Sequence, residues 1–229
     1  MKWLLSILIL MTACSAESPM NDNVTPEPGQ YRYLSLGDSY TIGESVAPEE
    51  RWSMILSDLI RKNNVNIANP EIIARTGWTT AELMEGIKGR NPKGPYNLVS
   101  ILIGVNNQYR GQSIERYREE LRELLQQAIG FAGGNIERVF MLSTPDWGAT
   151  PFAKGSNQAK IAAEIDAFNK AAQEECQKSG IVFIDITPLS RTARNDLSLV
   201  ADDGLHYSGK MYRQWAELAL PTVQNRITK

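Results

Sequence analysis

What this 229-residue chain lacks narrows its chemistry more than what it holds in abundance. It has a single histidine, His206. With one imidazole, no His-Glu-x-x-His pair and no neighbouring cysteines, the donor set of a zinc-type site is missing, so neither metal nor cofactor is expected. The two cysteines, Cys14 and Cys176, are too few for a disulfide framework, and core packing has to hold the fold. Lysine and arginine total 24 against 26 acidic residues, a net charge of −2, and no basic run occurs. Nucleic acid is therefore not an expected partner. No apolar run reaches the ~20 residues of a membrane-spanning helix. No Gly-x-Ser-x-Gly is present, which argues against the nucleophile elbow of α/β-hydrolases. Internal repeats and low-complexity segments are also missing. The remainder, 42% hydrophobic and 22% charged, is the make-up of a globular protein with one sizeable core.

The first thirty residues read as targeting sequence. Lys2 precedes a short apolar run over residues 3–11, and Thr12-Ala13 are the small residues of a cleavage site, so residues 1–13 are expected to be a signal peptide. Leu10-Met11-Thr12-Ala13-Cys14 resembles a bacterial lipobox, with Met11 standing where Leu is usual. That resemblance implies acylation of Cys14, which would become the mature N-terminus. Several acyl chains on one residue give stable anchoring, since each buried methylene contributes about 0.8 kcal/mol. Ser15 carries no negative charge of the kind associated with inner-membrane retention, so an outer-membrane lipoprotein is expected. Residues 14–30, rich in Ser, Pro, Asn, Asp, Thr and Glu without apolar period, read as a flexible tether. One catalytic domain is expected over residues 31–229.

Within that domain, strand and helix patterns alternate. Short apolar or alternating runs predict strands at residues 31–36, 72–74, 98–103, 139–142 and 181–186. Between and after them, 3.6-residue periodicity predicts helices over residues 52–62, from a cap at Thr79 through Ile87, from a cap at Ser113 through Ile129, over 157–178 and over 208–225. Five strands alternating with helices imply a three-layer α/β/α sandwich around a five-stranded parallel sheet. Ligands bind such sheets outside the carboxyl ends of the strands. Those ends carry Gly37-Asp38-Ser39, Arg75-Thr76-Gly77-Trp78, Gly104-Val105-Asn106-Asn107 and Thr144-Pro145-Asp146-Trp147. After the last strand, residues 187–207 are expected to form a long functional loop holding His206.

A serine hydroxyl needs an adjacent base to become a nucleophile, and His206 is the one imidazole available. Two carboxylates, Asp202 and Asp203, lie four and three residues before it, and both spacings reach across a helical turn. Either one satisfies the geometric need for an orienting acid.

The strand-end segments together resemble the SGNH hydrolases, also called GDSL esterases. Gly37-Asp38-Ser39-Tyr40 is similar to the first block of that family, with Tyr40 for the usual Leu. Gly77 matches the glycine of the second block, Gly104-Val105-Asn106-Asn107 the third, and Asp203-Gly204-Leu205-His206 the last. The order is that of the family, and the blocks span most of residues 31–229. Asn107 departs from the family's common Asp. The resemblance implies a flavodoxin-like SGNH fold and a Ser39–His206–Asp203 triad, thereby selecting Asp203 over Asp202. It also implies an oxyanion hole made by the Ser39 and Gly77 N–H groups and the Asn106 amide.

The expected activity is hydrolysis of small acyl esters, such as O-acetylated glycans or lysophospholipids, through an acyl-enzyme. Trp78, Asn107, Tyr109 and Trp147 are candidate substrate contacts, with ordinary packing as the alternative for the tryptophans. Arg110 is a further candidate, with a plain surface loop as its alternative. Residues 148–155 read either as a lid or as an inert loop. Two other function classes fit the same residues: a non-catalytic glycan-binding lipoprotein, and an acyltransferase that uses the triad with a sugar or alcohol in place of water.

Overall fold

The computed structural model of the chain describes residue 27 and residues 29–227. The expected signal peptide, Cys14 and most of the tether fall outside the described residues. Five parallel strands form one sheet: β1 (Tyr33–Gly37), β2 (Glu71–Ala74), β3 (Leu98–Leu102), β4 (Val139–Leu142) and β5 (Val182–Ile184). Their order is β2-β1-β3-β4-β5, so the chain reverses its winding direction between β1 and β3. A crevice opens at that switch point, where such sheets hold their ligands.

The strand sequences explain why both faces are covered. Along β3, Leu98 and Leu102 join one apolar cluster while Val99 and Ile101 join another, the two-residue alternation of a pleated strand. On the first face lie α2 (Trp52–Lys62) and α8 (Gly209–Ile227); on the second lie α3 (Thr80–Arg90), α5 (Ile114–Phe131) and much of α6 (Gln158–Ser179). The result is the expected three-layer α/β/α sandwich.

Helix boundaries follow local capping chemistry. Thr79 accepts from the Glu82 N–H while the Glu82 carboxylate takes the Thr79 N–H, a reciprocal capping box at the start of α3. Ser113 and Asn157 cap α5 and α6 in the same one-sided way, each accepting from the N–H three residues on. Cys176 is free, buried on α6, and its Sγ lies 3.7 Å from Met141 Sδ. Burial, reinforced by the Glu175 charge, pushes its thiol up to about 12, which makes it unreactive. Among the described residues no helix is long and apolar enough to cross a membrane.

Three short helices depart from the sequence-based expectation. α1 (Ser39–Ile42) and α4 (Val105–Tyr109) open directly after β1 and β3, and α7 (Thr187–Arg191) occupies the start of what reads as a long loop. Beyond α7 the chain continues in two 3₁₀ turns, Thr192–Arg194 and Leu197–Leu199. Buried Ala193 and Leu199 anchor that segment, and a Val200–Tyr207 bridge folds it back so that His206 returns to the sheet end. The segment is therefore built structure, because its apolar side chains have a core to enter.

Candidate active site

The carboxyl end of β1 sets the position of Ser39. A Cβ on Gly37 would collide with Thr41 Oγ1 and lie 2.5 Å from the Leu102 carbonyl oxygen, so only glycine lets the chain turn there. Asp38 then caps α1, its Oδ1 accepting from the Tyr40 N–H at 3.0 Å. Ser39 follows as the first helical residue, 5% exposed. Its N–H donates to no acceptor among the described residues.

The return segment supplies the candidate base, His206. His206 Nδ1 lies 2.5 Å from Asp203 Oδ2. Asp203 Oδ1 accepts from the N–H groups of Leu205 and His206, both at 2.9 Å, and Oδ2 also accepts from the Ser45 hydroxyl at 2.7 Å. Partial burial raises the Asp203 carboxyl, but these four donors outweigh it and hold the group well below the usual carboxylate range. An ionised Asp203 favours the tautomer with the proton on Nδ1, which leaves Nε2 free to accept. Tyr40 packs edge-on against the imidazole, with ring centroids 5.5 Å apart.

Asp38 has the opposite surroundings. It is fully buried, its Oδ2 has no hydrogen-bond partner among the described residues, and burial raises its carboxyl to about 7.

Gly77 sits in the turn after β2 with φ +85°, a left-handed conformation that favours glycine, and its N–H donates to no acceptor among the described residues. One amide hydrogen of Asn106 is held by the Trp78 carbonyl at 3.0 Å, which fixes the side chain and leaves the second hydrogen unengaged. The free N–H groups of Ser39 and Gly77 and this amide thus come from three adjacent strand ends.

Ser39, Asn106 and His206 all face one cavity of about 170 Å³, whose other walls are Tyr40, Val105, Tyr109, Trp147, Phe152 and Leu205. No hydrogen bond joins Ser39 Oγ to the imidazole, and such bonds commonly tighten only when substrate is present. Trp147 forms the back of the wall: its Nε1 donates to Gln108 Oε1 at 2.9 Å, and Gln108 Nε2 donates in turn to Glu164 at 2.8 Å. Exposed Tyr109 and Phe152 pack edge-on against it, with centroids 5.3 and 6.0 Å away. Larger concavities elsewhere on the surface hold none of these residues.

Two candidate substrate contacts lie elsewhere. The Trp78 indole crosses Gly86 of α3 and joins the second-face core, so only its backbone carbonyl serves the site. Asn107 is fully buried; its amide bonds the Thr80 N–H, the Thr80 hydroxyl and Gln112, tying α3 to α4. An amide reaching both a donor and acceptors does what a carboxylate there could not. Arg110 is engaged with Glu82 and the Gly77 carbonyl. Residues 148–155 form two 3₁₀ turns, tied to the acid–base segment by a 2.8 Å bond from Phe152 N–H to the Gly204 carbonyl.

Several site residues go beyond the sequence reading. Phe152, Leu205 and Val105 complete the wall, and Gln108 and Ser45 support it. Leu205 had a signal, its place beside His206; the direction of Phe152 and the reach of Ser45 had none.

The family model for GDSL-like lipases and acylhydrolases matches residues 35–214. A comparison with curated proteins gives no match. Among solved structures, a psychrotrophic esterase from Pseudoalteromonas sp. aligns with TM-score 0.65 at 14% identity, covering 87% of this chain and 100% of that one. An acetylxylan esterase from Geobacillus stearothermophilus aligns with TM-score 0.62 at 16% identity, covering 84% and 94%. A lipase/acylhydrolase from Enterococcus faecalis aligns with TM-score 0.59 at 21% identity, covering 86% and 97%. At these identities the likeness is one of fold.

Proposed function

The chain belongs to the GDSL-like lipase/acylhydrolase family and is an esterase-type enzyme, and we propose that it cleaves small acyl esters with Ser39 as nucleophile, His206 as base and Asp203 as its orienting acid. The observation that carries this reading is the 2.5 Å His206–Asp203 contact at the edge of the cavity that also exposes Ser39.

Ser39 Oγ attacks the ester carbonyl carbon as His206 Nε2 takes its proton. The carbonyl oxygen becomes an oxyanion facing the N–H groups of Ser39 and Gly77 and the spare hydrogen of Asn106. Collapse expels the alcohol, which receives the proton from His206 and leaves Ser39 acylated. Water, deprotonated by the same nitrogen, then releases the carboxylic acid.

Cavity size supports a small acyl group. At about 170 Å³, and closed behind by Trp147, the cavity is at the small end of ligand sites. That favours the O-acetyl group of a glycan over the long chain of a lysophospholipid. We place the enzyme on a lipid anchor at Cys14, on the strength of residues 1–14; loss of palmitate labelling and of membrane fractionation in Cys14→Ser tests that placement.

The enzymatic reading is tested with the purified full-length chain. It should turn over p-nitrophenyl acetate and acetylated oligosaccharide, Ser39→Ala should abolish turnover, and a fluorophosphonate should label Ser39. Equal activity in wild type and Ser39→Ala would sink it.

A further inference from the structure

The chain leaving α1 does more than connect it to the next element. The N–H groups of Gly43 and Glu44 both bond back to the Ser39 carbonyl at 3.0 Å, so residues 43–45 are indexed to the nucleophile itself. From there two consecutive side chains reach different loops. The Glu44 carboxylate accepts from the Thr76 hydroxyl, one residue before Gly77. The Ser45 hydroxyl donates to Asp203 Oδ2, the same oxygen that meets His206 Nδ1.

Ser45 is one of three described non-glycine residues at positive φ, at +65°. Serine has neither the freedom of glycine nor the tolerance of asparagine for that region. Residues held in such conformations persist where surrounding contacts over-determine them, and they concentrate at functional sites.

We propose that Glu44 and Ser45 form a clasp of positioning residues, which registers the oxyanion turn and the acid–base segment against Ser39. The inference rests on the triad reading above. Glu44 sets the depth of the Gly77 turn through Thr76. Ser45 fills the last acceptor site of Asp203, so that the carboxylate cannot rotate away from the imidazole. Neither side chain touches substrate.

The test uses full-length protein and p-nitrophenyl acetate, with unfolding midpoints read alongside. Ser45→Ala should lower kcat about three- to tenfold, the range of one hydrogen bond, with KM little changed. Ser45→Asn, which tolerates positive φ and brings an amide N–H that can donate to the carboxylate, should restore part of kcat. Ser45→Gly should relieve the backbone and raise the unfolding midpoint, yet lose kcat as Ser45→Ala does, because the hydroxyl is gone. Glu44→Ala and Thr76→Val remove one bond from its two ends, so each should lower kcat similarly and the double variant no further.

Wild-type kcat in Ser45→Ala beside an inactive Ser39→Ala overturns the clasp and leaves the triad standing. Full kcat in Ser45→Gly overturns it too, since backbone strain would then be the whole effect. A loss of kcat that tracks the unfolding midpoint across the series also overturns it. Activity in Ser39→Ala overturns both readings together.

Discussion

Two aspartates stand beside the proposed catalytic groups, one next to Ser39 and one three residues before His206, and the protein treats them in opposite ways. Asp203 is surrounded by donors, which hold it ionised. Asp38 accepts one N–H, leaves an oxygen unpaired in the interior, and is raised to about 7. The nucleophile side thus uses a carboxyl as a turn-former at a cost in stability, while the acid–base side uses one as a fixed charge. Position next to a catalytic residue does not decide which role a carboxylate takes; the number of donors aimed at it does.

The contrast breaks most sharply at Asp203. Asp203→Asn should lower kcat by about 10⁴, since an amide can hold the imidazole in the wrong tautomer while the fold stays intact. Steady-state kinetics with an unchanged unfolding midpoint checks it. On the opposite side, Asn106→Ala should cost about 10² to 10³ in kcat by removing one oxyanion donor, with KM for the ester nearly constant.

Asp38→Asn should raise stability instead of lowering it. The folded protein holds a proton on Asp38 up to about pH 7, whereas the unfolded chain loses it near 3.8, so wild-type stability declines as pH rises between those values. Asparagine keeps the cap and carries no charge to bury. Its advantage over wild type should be absent near pH 4 and grow to roughly 2–4 kcal/mol above pH 7, read from denaturant unfolding at several pH values. Asp203 has the reverse sign: its contribution is present above the ordinary carboxylate range and lost as pH falls below it. A flat difference between Asp38→Asn and wild type would end the claim that the two aspartates are opposites. The smallest effect belongs to exposed Asp202, whose conversion to Asn should leave kcat within about twofold. A larger loss would reopen the choice of orienting acid.

Much of this was readable from sequence, for reasons that differ by element. β3, β4 and α2 have enough consecutive apolar positions for their period to declare itself, and α3 and α5 announce their starts through Thr79 and Ser113. α1 and α4 are four and five residues long, too short for any helical period to register. A better reading was open at α7, where Pro188 near the start marks a first helical turn. Of the residues that the family resemblance singles out, Ser39, Asn106 and His206 face one cavity, Asp203 meets the imidazole, and Gly77 sits in the turn after β2; spacing alone puts only Ser39, Gly77 and Asn106 at strand ends. It could not say which way Trp78 or Asn107 points. The Trp78 ring is drawn to the flat surface over Gly86, and the Asn107 amide to the buried Thr80 backbone, both effects of residues distant in sequence.

The packing of α8 against α2 has a temporal consequence. Trp215, Ala216, Ala219 and Val223 share one core cluster with Trp52, Ile55, Leu56 and Ile60, so α8 closes over a helix far earlier in the sequence. Ser39 opens α1, before α2 in sequence, whereas His206, its proposed base, lies just before α8. A refolding chain would carry the proposed nucleophile without its base until these two segments, distant in sequence, have met. A refolding experiment followed by turnover would therefore time the docking of α8.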